Sequence, residues 1–181
     1  HTCISLINQG LNVLVIDSLI NSSVENLKKI KKIVSSTNSK NKGEINFIKG
    51  DLRDKDWLCG IFENQIKENN PITSVIHFAG LKSVVDSLKD PLLYWDVNIN
   101  STLSLLCAMK KFNCNNLVFS SSASIYKPVL EEKLFEDSFK DPINPYGETK
   151  FTIEKILKDL YLSDKEKWKI INLRYFNPAG A

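Results

Sequence analysis

The chain has 181 residues, 43% hydrophobic and 25% charged, with a formal net charge of +3. That balance suits one globular domain with a real core. It does not argue for nucleic acid, and the lysines mostly spread along helix faces instead of gathering in one block, so no nucleic-acid partner is expected. No segment is apolar enough over enough length to cross a bilayer, so a membrane partner is not expected.

Residues 1–10 read as the C-terminal part of a helix, with Gly10 as its C-cap. Short apolar, β-branched runs then alternate with longer amphipathic ones. The strand-like runs are Val13–Asp17, Ile45–Ile48, Ser74–Phe78, Leu117–Ser120 and Lys169–Leu173. Helical patterns occupy Val24–Val34, Lys55–Lys67, Pro91–Phe112 and Tyr146–Tyr161. The strands are nearly continuous in apolar character, as strands covered on both faces are. Strands separated by helices imply parallel βαβ units. Residues 35–43, SSTNSKNKG, read as a loose polar insertion. There is no repeat and no linker. Cys3, Cys59, Cys107 and Cys114 lack metal-like spacing and lie in apolar stretches. They read as buried, reduced thiols, which favours a cytoplasmic setting. No cleavable signal is read at the start, and the opening at His1 inside a helical pattern suggests a piece of a longer chain.

Several strand ends carry chemistry. Asp17 closes the first strand, where a carboxylate can accept both ribose hydroxyls of a dinucleotide and repel a 2′-phosphate, favouring NAD over NADP. The commoner fate of such an aspartate is a turn or a cap. In KGDLRD, Asp51 can take an adenine amino group with Leu52 on the ring, while Asp54 caps the helix that follows. In HFAGLKS, Ala79-Gly80 offers bare backbone for close approach and Lys82 adds a cation. His77 reads as a satisfied core histidine. Tyr146 and Lys150, in NPYGETK, share one helix face, one turn apart. A free tyrosine titrates at ~10. An ammonium beside it, with a cationic nicotinamide, favours the phenolate and makes Tyr146 a general base. Ser122, in FSSSASIY, can bond the same substrate oxygen. An isolated Y-x-x-x-K is more often a surface pair. Its weight here comes from the serine strand end about 25 residues earlier in a parallel α/β chain.

GLNVLVIDSLINSS, KGDLRD, VIHFAGLKSV, FSSSASIY, NPYGETK and LRYFNPAGA, in that order, resemble segments of the extended short-chain dehydrogenases/reductases. Within that family they are most similar to the UDP-galactose 4-epimerases, over residues 1–181. The dehydratases and decarboxylases place an acid just after the serine strand end, where this chain has Ala123-Ser124. The resemblance implies an α/β fold: a Rossmann-like, doubly wound parallel sheet. Here it would be incomplete, with the first strand and its glycine loop missing before His1 and a substrate domain missing after Ala181. Residues 1–181 would then be a partial NAD-binding domain, and a poor folder by itself.

The resemblance implies NAD ligands at Asp17, Ser18, Leu19, Asn21, Ser22, Asp51, Leu52, Phe78, Ala79, Gly80, Leu81, Lys82, Asn98, Tyr146, Lys150 and Phe176. It implies catalytic roles for Tyr146, Lys150 and Ser122, and places Lys82, Ser122, Tyr146 and Asn177 at a UDP-hexose. No metal is implied. The implied reaction interconverts UDP-galactose and UDP-glucose by transient oxidation at C4, in galactose metabolism. Another epimerase or reductase of the family is the alternative, or a non-catalytic relative if the natural chain is this short. Lys127 stands where the family has glycine, and Val97 where some members have a second asparagine. Helices Pro91–Phe112 and Tyr146–Tyr161 resemble the pair through which the family forms homodimers.

Overall fold

The computed structural model describes residues 1–36, 42–128 and 133–178. They fall into two compact units, His1–Asp51 and Leu52–Ala179.

In the first unit, α1 (Thr2–Asn8) ends as expected at Gly10. The Leu11 N–H bonds Leu6 O (3.1 Å) and the Gly10 N–H bonds Ile7 O (3.0 Å), with Gly10 at φ 84°. This pairing closes a helix on a left-handed residue. Strand β1 (Val13–Asp17) then pairs in parallel with β2 (Ile45–Lys49), from Val13 opposite Ile45 to Asp17 opposite Lys49. The crossover contains α2 (Glu25–Ser36). Of the expected polar insertion, residues 35 and 36 extend α2, and residues 37–41 lie outside the described residues.

In the second unit, β3 (Ser74–His77), β4 (Asn116–Ser122) and β5 (Lys169–Tyr175) form a parallel sheet in that order. Helix α3 (Lys55–Lys67) starts on Asp54, whose carboxylate accepts the Trp57 N–H at 3.0 Å, the cap expected from the sequence. It packs on α6 (Ser101–Lys111), with the Phe62 and Phe112 rings stacked 5.6 Å apart. Helix α7 (Pro145–Ser163) lies against β4 and β5 through the buried Ile153 and Leu157. Phe119 and Leu117 of β4 and Leu58 and Met109 of the helices fill the rest of the core. His77 is buried, as expected.

Three expectations are corrected. The pattern over Pro91–Phe112 is not one regular α-helix. It comprises α5 (Pro91–Trp95), a π-helical turn (Asp96–Asn100) and α6. A further helix, α4 (Val84–Lys89), precedes it, capped by Ser83. Cys107 is exposed on α6, while Cys59 and Cys114 are buried and Cys3 is half-buried. All four are free thiols.

Leu157 is fully buried between α7 and the sheet. In the product of the complete gene, Leu157→Ala should therefore cost ~2–5 kcal/mol. A lowered urea midpoint reads that loss.

Candidate active site

Asp17 ends β1 with its Oδ1 already engaged. It accepts the Leu19 N–H at 2.7 Å and the Ser22 hydroxyl at 2.8 Å. This is the aspartate turn that a strand-end Asp commonly makes. It holds Leu19 at φ 61°, unusual for a branched side chain. Both bonds fall on Oδ1, and Oδ2 has no partner among the described residues. Ser18 and Leu19 are half-buried, whereas Asn21 and Ser22 are exposed. The Gly50 N–H bonds Asp17 O at 3.2 Å, which keeps the β2 end, and the half-buried Asp51 after it, beside the β1 end.

The other proposed site residues belong to the second unit. Chain direction and burial at the end of β3 leave Phe78, Ala79 and Lys82 exposed. Gly80 turns at φ 137°, and a Cβ there would stand 2.9 Å from Asn98 Oδ1. Asn98 is only 2% exposed. Its Oδ1 accepts the Leu81 N–H (2.7 Å), and its amide nitrogen donates to Leu81 O (3.1 Å) and Thr149 Oγ1 (3.0 Å). Both N–H donors are thus spent inside the protein. In this structure Asn98 clamps the Gly80–Leu81 turn to α7. The π-helical turn supplies the geometry, since an extra residue in a helix rotates the side chains that follow.

The chain of bonds continues on both sides. Thr149 Oγ donates to Tyr146 O at 2.7 Å. Thr102 Oγ donates to Asn98 O at 2.7 Å and lies 2.9 Å from His77 Nε2. Because the threonine proton goes to Asn98, His77 Nε2 carries the ring proton. Burial pushes the His77 imidazole down to about 3, aided by the charge of Lys150, so the ring is neutral. Thr102 and Thr149 were not singled out from the sequence; a hydroxyl within a helix carries no signal of what it will meet.

Helix α7 begins at Asn144, whose side-chain Oδ1 accepts the Gly147 N–H at 2.8 Å, with Pro145 in the first turn. Asn-Pro before an amphipathic run is a start signal that the sequence does carry. Gly147 lies so close to the turn after β4 that a Cβ would fall 2.4 Å from Ser124 O. This contact seats the first turn of α7, with Tyr146 in it, against the Ser124 turn that follows β4. Lys150 is 4% exposed, and its Nζ donates to Ser120 O at 2.8 Å. The same Nζ sits 4.8 Å from the Phe119 ring centroid and 5.9 Å from that of Tyr146. Burial pushes the Lys150 ammonium down to about 8. Ser122 Oγ accepts the Ser124 N–H and lies 3.1 Å from Ser124 Oγ.

A cavity of about 410 Å³ opens beside Ser122. Asn177, Phe176, Tyr126, Asn144 and Lys127 share its wall, and Lys127 is the one charged side chain among its described lining residues. Tyr146 is not in that wall. The second unit thus brings Ser122, Phe176 and Asn177 together, and separately pairs Tyr146 with Lys150. No group of three or more His, Cys, Asp or Glu capable of holding a metal occurs among the described residues.

Burial of Lys150 makes stability depend on pH. Its ordinary value is 10.5 and its value in the fold about 8. Between these, the unfolded chain keeps a proton that the folded chain has released, so this group makes stability rise with pH across that window. Lys150→Met should flatten the rise, measured as urea midpoints from pH 7.5 to 10.5.

Comparison with known proteins gives the chain's relatives. UDP-glucose 4-epimerase 2 of Arabidopsis thaliana is 44% identical over 181 residues, all of this chain and 49% of the relative. The UDP-glucose 4-epimerase of Bacillus subtilis is 40% identical, again over the whole chain and 50% of the relative. Among solved structures, the UDP-glucose 4-epimerase of Stenotrophomonas maltophila, with bound NAD and formylated UDP-arabinopyranose, superposes with a TM-score of 0.88 at 36% identity. It is matched over all of this chain and 50% of that one. The Bifidobacterium longum enzyme, in complex with NAD+ and UDP, gives 0.87 at 38% identity with the same coverage. These likenesses bear out the Rossmann-like α/β fold. The chain spans about half the length of the curated relatives it matches. The model of the NAD-dependent epimerase/dehydratase family matches residues 1–181, and the chain belongs to that family.

Proposed function

We propose that this chain is the NAD-binding part of a UDP-glucose 4-epimerase that interconverts UDP-galactose and UDP-glucose in the cytoplasm, as a step of galactose metabolism. One observation carries the reading. A buried lysine and a tyrosine one turn apart open α7, and Gly147 seats that turn against Ser124, two residues past Ser122 at the end of β4.

Each unit by itself offers groups suited to parts of a dinucleotide. Gly80 leaves bare backbone at the β3 end, and Asp17 keeps Oδ2 for a ribose hydroxyl. Asp51 and Leu52 would meet the adenine, and Ser18, Leu19, Asn21 and Ser22 would line the first ribose. Phe78, Ala79, Leu81, Lys82 and Phe176 would flank the remainder. When bound, NAD supplies a hydride acceptor and donor for C4 of the sugar. Tyr146 takes the proton from the sugar 4′-hydroxyl and returns it after the sugar has turned. Ser122 holds the 4′-oxygen. Lys150 would bind the nicotinamide ribose and presents its charge to Tyr146. Asn177 and Lys82 position the sugar nucleotide. Exposed apolar side chains on the α4–α6 segment, among them Leu88, Leu92 and Leu103, support a homodimer built on these helices and α7.

The gene product should convert UDP-galactose to UDP-glucose with no net accumulation of NADH. Absence of conversion, with NAD bound, would refute the reading. Tyr146→Phe should lower turnover by several orders of magnitude and leave the NAD content unchanged. Near-normal turnover removes Tyr146 as the base. Asp17→Ala should weaken NAD binding far more than UDP-sugar binding, both read by calorimetry.

A further inference from the structure

A second polar constellation, partly buried, reaches this cavity through Tyr126. Glu154 sits on α7 two turns beyond Tyr146 and is 7% exposed. Arg174 of β5 meets it with two parallel bonds, Nε to Oε1 at 2.9 Å and Nη2 to Oε2 at 2.8 Å. Glu154 Oε1 also accepts the Ser121 hydroxyl at 2.6 Å. Ser121 is the neighbour of Ser122 on β4, pointing to the opposite side of the strand. The third guanidinium nitrogen reaches elsewhere. Nη1 donates to the Tyr126 hydroxyl at 2.8 Å and to Glu136 O at 2.6 Å. Tyr126 lines the cavity, and its ring lies 5.3 Å from the Arg174 guanidinium carbon. Beside it, the Lys127 N–H bonds Phe139 O at 3.1 Å.

One arginine therefore ties α7, β4 and β5 to the segment that walls the cavity. An ion pair with one partner buried is poor evidence for stability, since its desolvation offsets much of its attraction. Helix α7 is in any case docked by Ile153, Leu157 and the Gly147 contact. What the constellation supplies is direction: a planar fork holds several partners at set angles, which an ammonium cannot do.

We propose that Arg174, held by Glu154, is a positioning residue that fixes the Tyr126 wall of the cavity relative to Ser122. The function of that wall rests on the epimerase reading; its positioning does not. The test uses Arg174→Lys in the product of the complete gene. Amide exchange without substrate should quicken about tenfold at Lys127 and at Ser138, whose N–H bonds Phe135 O at 3.1 Å beside Glu136, while the β4–β5 ladder keeps its protection. Turnover of UDP-galactose should fall about 10- to 100-fold, with NAD content unchanged and the loss mainly in kcat. Uniformly faster exchange, or exchange as in the wild type, overturns the proposal, and so does unchanged kcat. If Arg174→Lys does not fold, Tyr126→Phe removes only the hydroxyl contact and should give the same local exchange at smaller amplitude; unchanged exchange overturns the proposal there too. A wild type inactive on UDP-galactose refutes the epimerase reading, and the exchange data still decide the positioning.

Discussion

The close seat of α7 on the end of β4 is the constraint that the second unit depends on. Gly147 faces Ser124 O at a distance no side chain could share. Any larger residue would lift the first turn of the helix from the strand end. Tyr146, Thr149 and Lys150 all lie within one turn of it, so their places are set by that contact. Asn144 fixes where the helix begins, and Pro145 fixes its first φ. The tyrosine and lysine are thus aimed by backbone packing, which is more rigid than any hydrogen bond their own side chains could make.

Around this seat the buried polar groups are paired in series. His77, Thr102, Asn98, Thr149 and the Tyr146 carbonyl form one line of bonds. Lys150 hands its charge to Ser120 O and to the face of Phe119. Glu154 and Arg174 answer each other within a separate group. An unpaired polar group in such a place would cost about 1–3 kcal/mol. The pairing explains how a small core tolerates so many polar residues. It also links β3, the π-helical turn and α7, so that the Gly80 turn and the Tyr146 turn hold a common geometry.

Much of the fold was legible because its signals are local. Asp54 capping α3, Gly10 closing α1 and the five strands all follow from period, caps and left-handed glycine. The period-3.6 pattern over Pro91–Phe112 was legible as helix but not as an interrupted one. A π-helical turn preserves the amphipathic pattern closely enough to hide in it, and only the inward rotation of Asn98 discloses it. Cys107 looked buried because its neighbours are apolar, but the face it occupies on α6 is exposed.

The sequence by itself determined the element order, the strand ends that carry the candidate residues, and the Tyr146–Lys150 spacing. These rest on contacts within a few residues, which a linear text records. Tertiary structure alone decided that Asn98 clamps the Gly80 turn, that Lys150 is buried, and that Arg174 reaches Tyr126. Each of these joins positions far apart in the chain, and side-chain partners at that separation are chosen by packing, which no local pattern encodes.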